Sequence, residues 1–203
     1  MSLDNAAITV YGDSISGNCL KVKFVCNHLG ITYDWIETSV MAKETRTPAF
    51  LAMNPAGQVP LVIFSDNAPL AQSNAIILHL ARDSALIPAD AFDRALMLQW
   101  MFWEQYSHET AIAVLRFQKH YLKKTDSEID AALPGKCAAA LTVMNNHLTE
   151  RRYFAGEKLS LADVALVAYT RFSHQADIDL AQYSNVRAWV RRVEDDLKLE
   201  HLQ

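Results

Sequence analysis

The sequence predicts an α/β domain followed by an all-α domain, and three observations carry that expectation. Short β-rich runs alternate with one helical pattern over the first 80 or so residues. Proline and glycine are scattered through the first 60 residues, whereas Ala89 to Leu133 contains neither, so composition changes character near Pro88. From Phe92 onward the apolar spacing is helical almost throughout. At 203 residues, 51% apolar and 21% charged, the chain is long enough to bury two cores. The expected division is residues 1–82, a linker over 83–92 that contains Leu86-Ile87-Pro88, and 93–203.

Ile8 to Tyr11 reads as a strand. A polar turn, Gly12-Asp13-Ser14, follows, and then an apolar helical pattern at Leu20, Val22, Val25, Cys26 and Leu29 that stops at Gly30. Tyr33 to Glu37 reads as a second strand, so the opening is a βαβ unit with parallel strands. Leu61 to Phe64 and the stretch near Leu70 form a hairpin around Asp66-Asn67, and a helix over Ser73 to Ala81 closes the domain. A βαβ-ββα order is that of a thioredoxin-like sheet.

In the second half, Leu96, Trp100, Trp103, Ser107 and Ala111 recur at helical spacing, continuing past Leu115 toward Tyr121. A further helix is expected over Lys136 to Glu150, with Pro134 near its first turn. Ser160 as N-cap and Asp163 three residues on make a capping box, with Leu159 and Val164 placed as a hydrophobic staple. The helix behind it, to about Phe172, is apolar on nearly every face apart from Asp163 and is expected at the centre of an α-helical bundle.

Net charge of −4 and the lack of a basic stripe argue against a nucleic-acid partner. Lys119, Lys123 and Lys124 read as a solvated helix face. No apolar run reaches the roughly 18 residues that span a bilayer, and Met1 to Asn5 carries no basic or apolar leader, so a cytoplasmic location is expected. Three irregularly spaced cysteines suit a reducing compartment. Seven histidines without a His-x-x-x-His pair or a cysteine cluster give a metal site little support.

The most informative segment is Asn54-Pro55-Ala56-Gly57-Gln58-Val59-Pro60, then an apolar strand, then Gln72-Ser73-Asn74-Ala75-Ile76. A proline just ahead of a strand removes one ladder donor, and an extended Val59 can pair with a bound peptide as an added strand would. Gln72 and Ser73 open a helix whose first N–H groups and dipole favour a carboxylate. A short acidic peptide suits both features.

This pattern resembles the glutathione-binding signature of the cytosolic glutathione transferases, and Ser160-Leu161-Ala162-Asp163 resembles that family's C-terminal capping motif. The resemblance implies a thioredoxin-like domain followed by an all-helical one, a cis Val59-Pro60 bond, glutathione as co-substrate without a metal, and a homodimer. It places Gln72 and Ser73 on the γ-glutamyl end, Val59 on the cysteinyl backbone beside Pro60, and Gln58 or Arg46 on the glycine carboxylate. It also places the electrophile site on the long helix, where Trp103, Tyr106 and Thr110 are the candidates.

The expected chemistry is activation of the glutathione thiol for attack on small electrophiles. Tyr11, Ser14, Ser16, Asn18 and Cys19 all lie in the first strand-helix turn. Ser16 is the choice, because its position resembles the serine of the serine-type classes. Asn18 is the alternative, because the turn also resembles that of nu-like bacterial members that reduce disulfides. The tyrosine classes would place their residue at Gly12, which leaves Tyr11 one position out and on the opposite strand face. Cys19 is read as a buried helix cysteine, with a reactive thiol as its other reading. His108 is read as structural or as a dimer contact. Two other functions share the same fold, a glutathione-dependent disulfide or peroxide reductase and a non-catalytic interaction protein.

Overall fold

The computed structural model describes residues 8–202, and the opening residues read above for a leader lie outside them. Within that range the chain divides into two compact units, with the boundary between Ser84 and Ala85.

The first unit is a four-stranded mixed sheet in the order β2-β1-β3-β4, with β1 over Ile8–Gly12, β2 over Tyr33–Glu37, β3 over Leu61–Ile63 and β4 over Pro69–Ala71. β1 runs parallel to β2, pairing Val10 with Trp35, and antiparallel to β3, pairing Tyr11 with Leu61. The β3–β4 hairpin turns at Asp66-Asn67, where the Asp66 carboxylate accepts the Ala68 N–H and Asn67 adopts φ 63. Alternation along β1 buries Ile8 and Val10. These meet Val22, Val25 and Cys26 of α1 (Gly17–Leu29) and Ile76, Ile77 and Leu80 of α3 (Ser73–Leu80), all buried. α1 stops at Gly30, whose φ of 68 is the left-handed C-terminal conformation that glycine adopts most readily. A short α2, Pro48–Met53, was not foreseen; Thr47 caps it by accepting the Phe50 N–H, with Pro48 at its first position.

The second unit opens with α4, Ala91–Trp103, which starts inside the expected linker because Asp90 accepts the N–H groups of Phe92 and Asp93. The helix runs on as a π-helical stretch over Glu104–Ala113, an α-turn at Val114–Arg116 and a second π-helical stretch over Phe117–Tyr121. Its buried stripe is Met97, Trp100, Met101, Glu104, His108, Ala111, Ile112 and Leu115. Of the residues read at helical spacing, Trp100 and Ala111 lie on it, whereas Leu96, Trp103 and Ser107 are half-buried. Because helix ends at Tyr121, Lys123 and Lys124 lie in a loop rather than on a helix face.

α5 spans Leu133–His147, beginning and ending three residues earlier than expected, with Pro134 in its first turn. All ten residues of α6, Leu161–Thr170, are buried. Its start carries the expected capping box: Ser160 donates its N–H and hydroxyl to Asp163 at 3.0 and 2.7 Å. The same carboxylate accepts the Phe154 N–H and the Trp189 indole N–H, at 3.0 and 2.9 Å. Trp189 belongs to α7, Ser184–Asp196, which the sequence reading passed over. Arg171 and Glu194 form a buried ion pair at 2.9 Å between the end of α6 and α7.

Candidate functional site

Strand register gathers three segments at one end of the sheet. Tyr11 pairs with Leu61, so Pro60 and Val59 run past the turn that leaves β1; Leu61 pairs with Ala71, so Gln72 and Ser73 follow beside them. Val59, Pro60, Gln72 and Ser73 thus lie at the end of the sheet where β1 turns into α1, and Ser73 meets Asn18 there.

The turn after β1 is held from both sides. Asp13 is buried, and its carboxylate accepts the N–H of Ile15 at 3.1 Å and of Val40 at 2.9 Å. Glu37 accepts the Ser14 N–H, the Ser14 hydroxyl and the Trp35 indole, at 2.8, 2.6 and 2.8 Å. Partial burial of Glu37 works against its charge, but those bonds and the nearby Lys23 hold its carboxyl below the usual range. The Ser14 hydroxyl is therefore committed to Glu37. Trp35 lies over Gly12, where an added Cβ would meet the ring at 2.4 Å. Position 12 consequently has no room for a side chain. Tyr11 is half-buried and meets Phe50 edge-on, with ring centroids 6.2 Å apart.

Ser16 takes the N-cap position of α1 with extended backbone, and its side chain makes no capping bond. Asn18, in the first turn, accepts the Ser73 hydroxyl on its side-chain oxygen at 2.9 Å. That bond engages the oxygen, the acceptor end of the amide; its nitrogen is the donor end. Lys21, one turn further along α1, is fully buried and donates to the Ser73 hydroxyl at 3.4 Å. The sequence reading missed Lys21. Its signal was spacing, since it stands four residues from both Gly17 and Val25, which are buried too.

Cys19 is fully buried, and burial pushes its thiol up to about 12; the Asp13 N–H, 3.3 Å from the sulfur, and the Ser16 side chain offset only part of this. Its burial supports the reading of Cys19 as a buried helix cysteine. Cys26 and Cys137 are also buried free thiols, raised to about 12 and about 11 by burial.

In the loop before β3, the Val59-Pro60 bond is cis. Asn54 shapes the loop by donating its amide to the Gln58 carbonyl at 2.7 Å and accepting the Ala56 N–H at 3.2 Å. The Val59 N–H and C=O take part in no hydrogen bond among the described residues. Gln58 is exposed beside Val59, and the exposed Arg46 crosses Gly57 to donate to the Ala56 carbonyl at 3.4 Å. Gln72 is exposed and holds φ 71, a conformation that a side chain adopts only at some cost.

Two matches to known families cover most of the chain. Residues 15–83 match the family described as Glutathione S-transferase, N-terminal domain, and residues 98–196 match Glutathione S-transferase, C-terminal domain. The chain belongs to the glutathione S-transferase family. Among solved structures, a glutathione S-transferase from Pseudomonas fluorescens is 40% identical, with 93% of this chain and 95% of that one covered and a TM-score of 0.90. A possible glutathione S-transferase from Rhodopseudomonas palustris is 39% identical, with 97% and 98% covered and a TM-score of 0.91. A glutathione transferase homologue from Drosophila mojavensis, solved with bound glutathione, is 27% identical, with 93% and 88% covered and a TM-score of 0.83.

The remaining candidates lie on the π-helical part of the second unit. Trp103 is half-buried and meets Trp100 edge-on at 5.1 Å. Tyr106 is 85% exposed, and the exposed Thr110 donates its hydroxyl to the Tyr106 carbonyl at 2.8 Å. His108 is buried against the Thr170 hydroxyl at 2.9 Å, a packing role within the bundle. Among the described residues no group of three or more His, Cys, Asp or Glu side chains could hold a metal ion, and no helix is long and apolar enough to cross a membrane.

Proposed function

We propose that the chain is a glutathione transferase that holds the glutathione thiol as thiolate at the start of α1 for attack on small electrophiles. The observation that carries the reading is the bond from Ser73 to Asn18. It couples the expected γ-glutamyl site at the start of α3 to an amide in the first turn of α1 whose nitrogen is a donor. Ser16, with a hydroxyl that does not cap its helix, is the second donor. A thiol of pKa about 8.5 is only a few per cent thiolate at neutral pH. Lowering that value by two units takes about 2.7 kcal/mol, and a hydrogen bond to a charged acceptor contributes about 1.5–3 kcal/mol. Two such donors at a helix start suffice.

On this reading the extended Val59 before Pro60 pairs with the cysteinyl backbone. Gln72 and Ser73 take the γ-glutamyl end, and Gln58 with Arg46 takes the glycine carboxylate, for which a guanidinium offers a two-pronged donor. Ser73 can serve a carboxylate through its N–H at the start of α3 while its hydroxyl stays on Asn18. Trp103, Tyr106 and Thr110 line the acceptor site, and the chain acts as a homodimer, which light scattering checks.

The deciding experiment compares rates with a chloronitroaromatic acceptor and with a small disulfide at equal glutathione. A faster conjugation supports the transferase. A far higher rate with the disulfide assigns the same site to a reductase, and no heat of binding at millimolar glutathione would leave a non-catalytic interaction protein.

A further inference from the structure

The helical unit carries a second constellation that this chemistry does not use. Where the second π-helical stretch ends, a cavity of about 460 Å³ is lined by the basic residues Lys119, His120, Lys123, Lys124 and His174, by the carboxylates of Asp126 and Asp177, and by Thr125 and Gln175. That volume falls within the range of small-molecule sites.

The fixed charges around it are unevenly committed. Lys119 binds Asp177 at 2.6 Å and Asp126 at 2.9 Å, so one ammonium is shared by two carboxylates of the lining and the three together keep one negative charge. Glu128, close to Lys124, accepts the Thr125 N–H and hydroxyl at 2.8 and 2.7 Å. Arg116 is buried behind the wall, donating to Gln175 and to the Tyr121 hydroxyl, each at 2.7 Å, with Phe172 4.4 Å from its guanidinium. Among the described residues, no carboxylate lies within ion-pair distance of His120, Lys123, Lys124 or His174. With both imidazoles neutral, the three lysines outweigh the two aspartates of the lining by one positive charge, and it is the ammonium groups of Lys123 and Lys124 that no carboxylate pairs.

Backbone geometry adds to this. Lys123 stands at φ 53, the left-handed position where glycine or asparagine costs least, and its neighbour closes the helix by donating from Lys124 N–H to the Gln118 carbonyl at 3.0 Å. Burial, then the charges of Lys123, Arg116 and His174, hold the His120 imidazole below its ordinary range. An anion in the cavity would reverse the electrostatic part of that shift.

We propose that this cavity binds a small organic phosphate ester, its oxyanion held by Lys123, Lys124 and the imidazoles of His120 and His174. Four potential donors that line one cavity from a helix end, a loop and the 3₁₀ turn at Ser173–Ala176 suit a tetrahedral, multiply charged group better than a single carboxylate. The cavity leaves room for the organic part.

The test is calorimetry on the full chain with phenyl phosphate and with sulfate, at ionic strength held constant by chloride. Sulfate keeps its charge across the range, so its pH dependence reports the histidines. Saturable binding of both, with sulfate tightening at least about threefold from about pH 8 to about pH 6, is expected. The Lys123→Ala/Lys124→Ala variant should lose about tenfold or more for both probes, while Lys123→Arg/Lys124→Arg keeps binding. His120→Gln/His174→Gln should flatten the pH dependence. Heats that do not saturate, heats matched by chloride alone, or alanine and glutamine variants that behave as the parent would each overturn the proposal. An unchanged melting temperature in the lysine variants separates lost binding from lost fold.

Discussion

The Ser73 hydroxyl donates to the Asn18 side chain across 2.9 Å, and the buried Lys21 ammonium lies 3.4 Å from the same oxygen. One hydroxyl thus joins the start of α3, where a γ-glutamyl carboxylate is expected, to the amide proposed to meet the sulfur. Ser73→Ala should weaken glutathione binding about tenfold, through loss of a charged hydrogen-bond network. It should also raise the apparent pKa of the bound thiol, because Asn18 is no longer oriented. Calorimetry and the pH dependence of the rate read the two effects separately; lost affinity with an unmoved pKa would uncouple Asn18 from Ser73.

Asn18→Ala and Ser16→Ala divide the proposed thiolate donors. Each should leave glutathione affinity within a few-fold and raise the bound thiol's pKa by about one unit, the equivalent of one hydrogen bond of about 1.4 kcal/mol. The larger shift identifies the principal donor. Two unchanged profiles would transfer the role to backbone amides at the start of α1.

Gly12 offers a stability test independent of ligand. A Cβ there would stand 2.4 Å from the Trp35 ring, far inside contact distance, and that ring is held by Glu37 and flanked by Lys23 at 5.3 Å. Gly12→Ala should cost about 1–3 kcal/mol as overpacking. Trp35→Leu in the same chain should recover part of that loss, so the double-mutant cycle in urea shows a favourable coupling. Simple additivity would mean that the ring is not what fills position 12.

Legibility differed from place to place for physical reasons. The succession of strands and helices in the first unit, α1 with its Gly30 stop and the Ser160 capping box each had a local signature: a period, a φ that only glycine holds cheaply, or a pair of residues three apart. α2 and α7 had signatures too, Thr47-Pro48 and the spacing of Val186, Trp189, Val190 and Val193, that the sequence reading passed over. The buried side of the π-helical stretch that continues α4 was harder, because Glu104 and His108 occupy it and hydropathy alone points such residues outward. At the site, the motif named Gln72 and Ser73, but nothing local tells that Ser73 reaches Asn18, 55 residues away. Nor does it tell that Glu37 takes the Ser14 hydroxyl from 23 residues away. Those pairings arise only once the sheet register is set.

Burial makes Cys19 inert despite its place in the first turn of α1. With its thiol at about 12, the thiolate fraction at neutral pH is on the order of one in 100,000. Iodoacetamide should leave the folded protein unmodified and label Cys19 only as denaturant unfolds it, read by mass spectrometry of peptides. Labelling of Cys19 in the native state at a rate comparable to free glutathione would restore a redox role for it.

Asp163 should give the bundle an unusual pH dependence. Desolvation pushes its carboxyl up to about 6, while the Trp189 indole, the Ser160 hydroxyl and the N–H groups of Phe154 and Ser160 restrain the rise. An unfolded aspartate titrates near about 3.9, so between about pH 4 and about pH 6 the folded state binds more protons than the unfolded one. The stability this group contributes is therefore full below about pH 4 and falls as pH rises through about 6, by about 3 kcal/mol for a shift of about two units. Asp163→Asn removes the titration and will itself destabilise, since its amide meets four donors. The informative quantity is the parent's unfolding free energy minus the variant's, measured in urea across this range. It should shrink with rising pH. A difference that instead grows would mean that the hydrogen bonds to the carboxylate outweigh its burial and that the anion is the form the fold prefers.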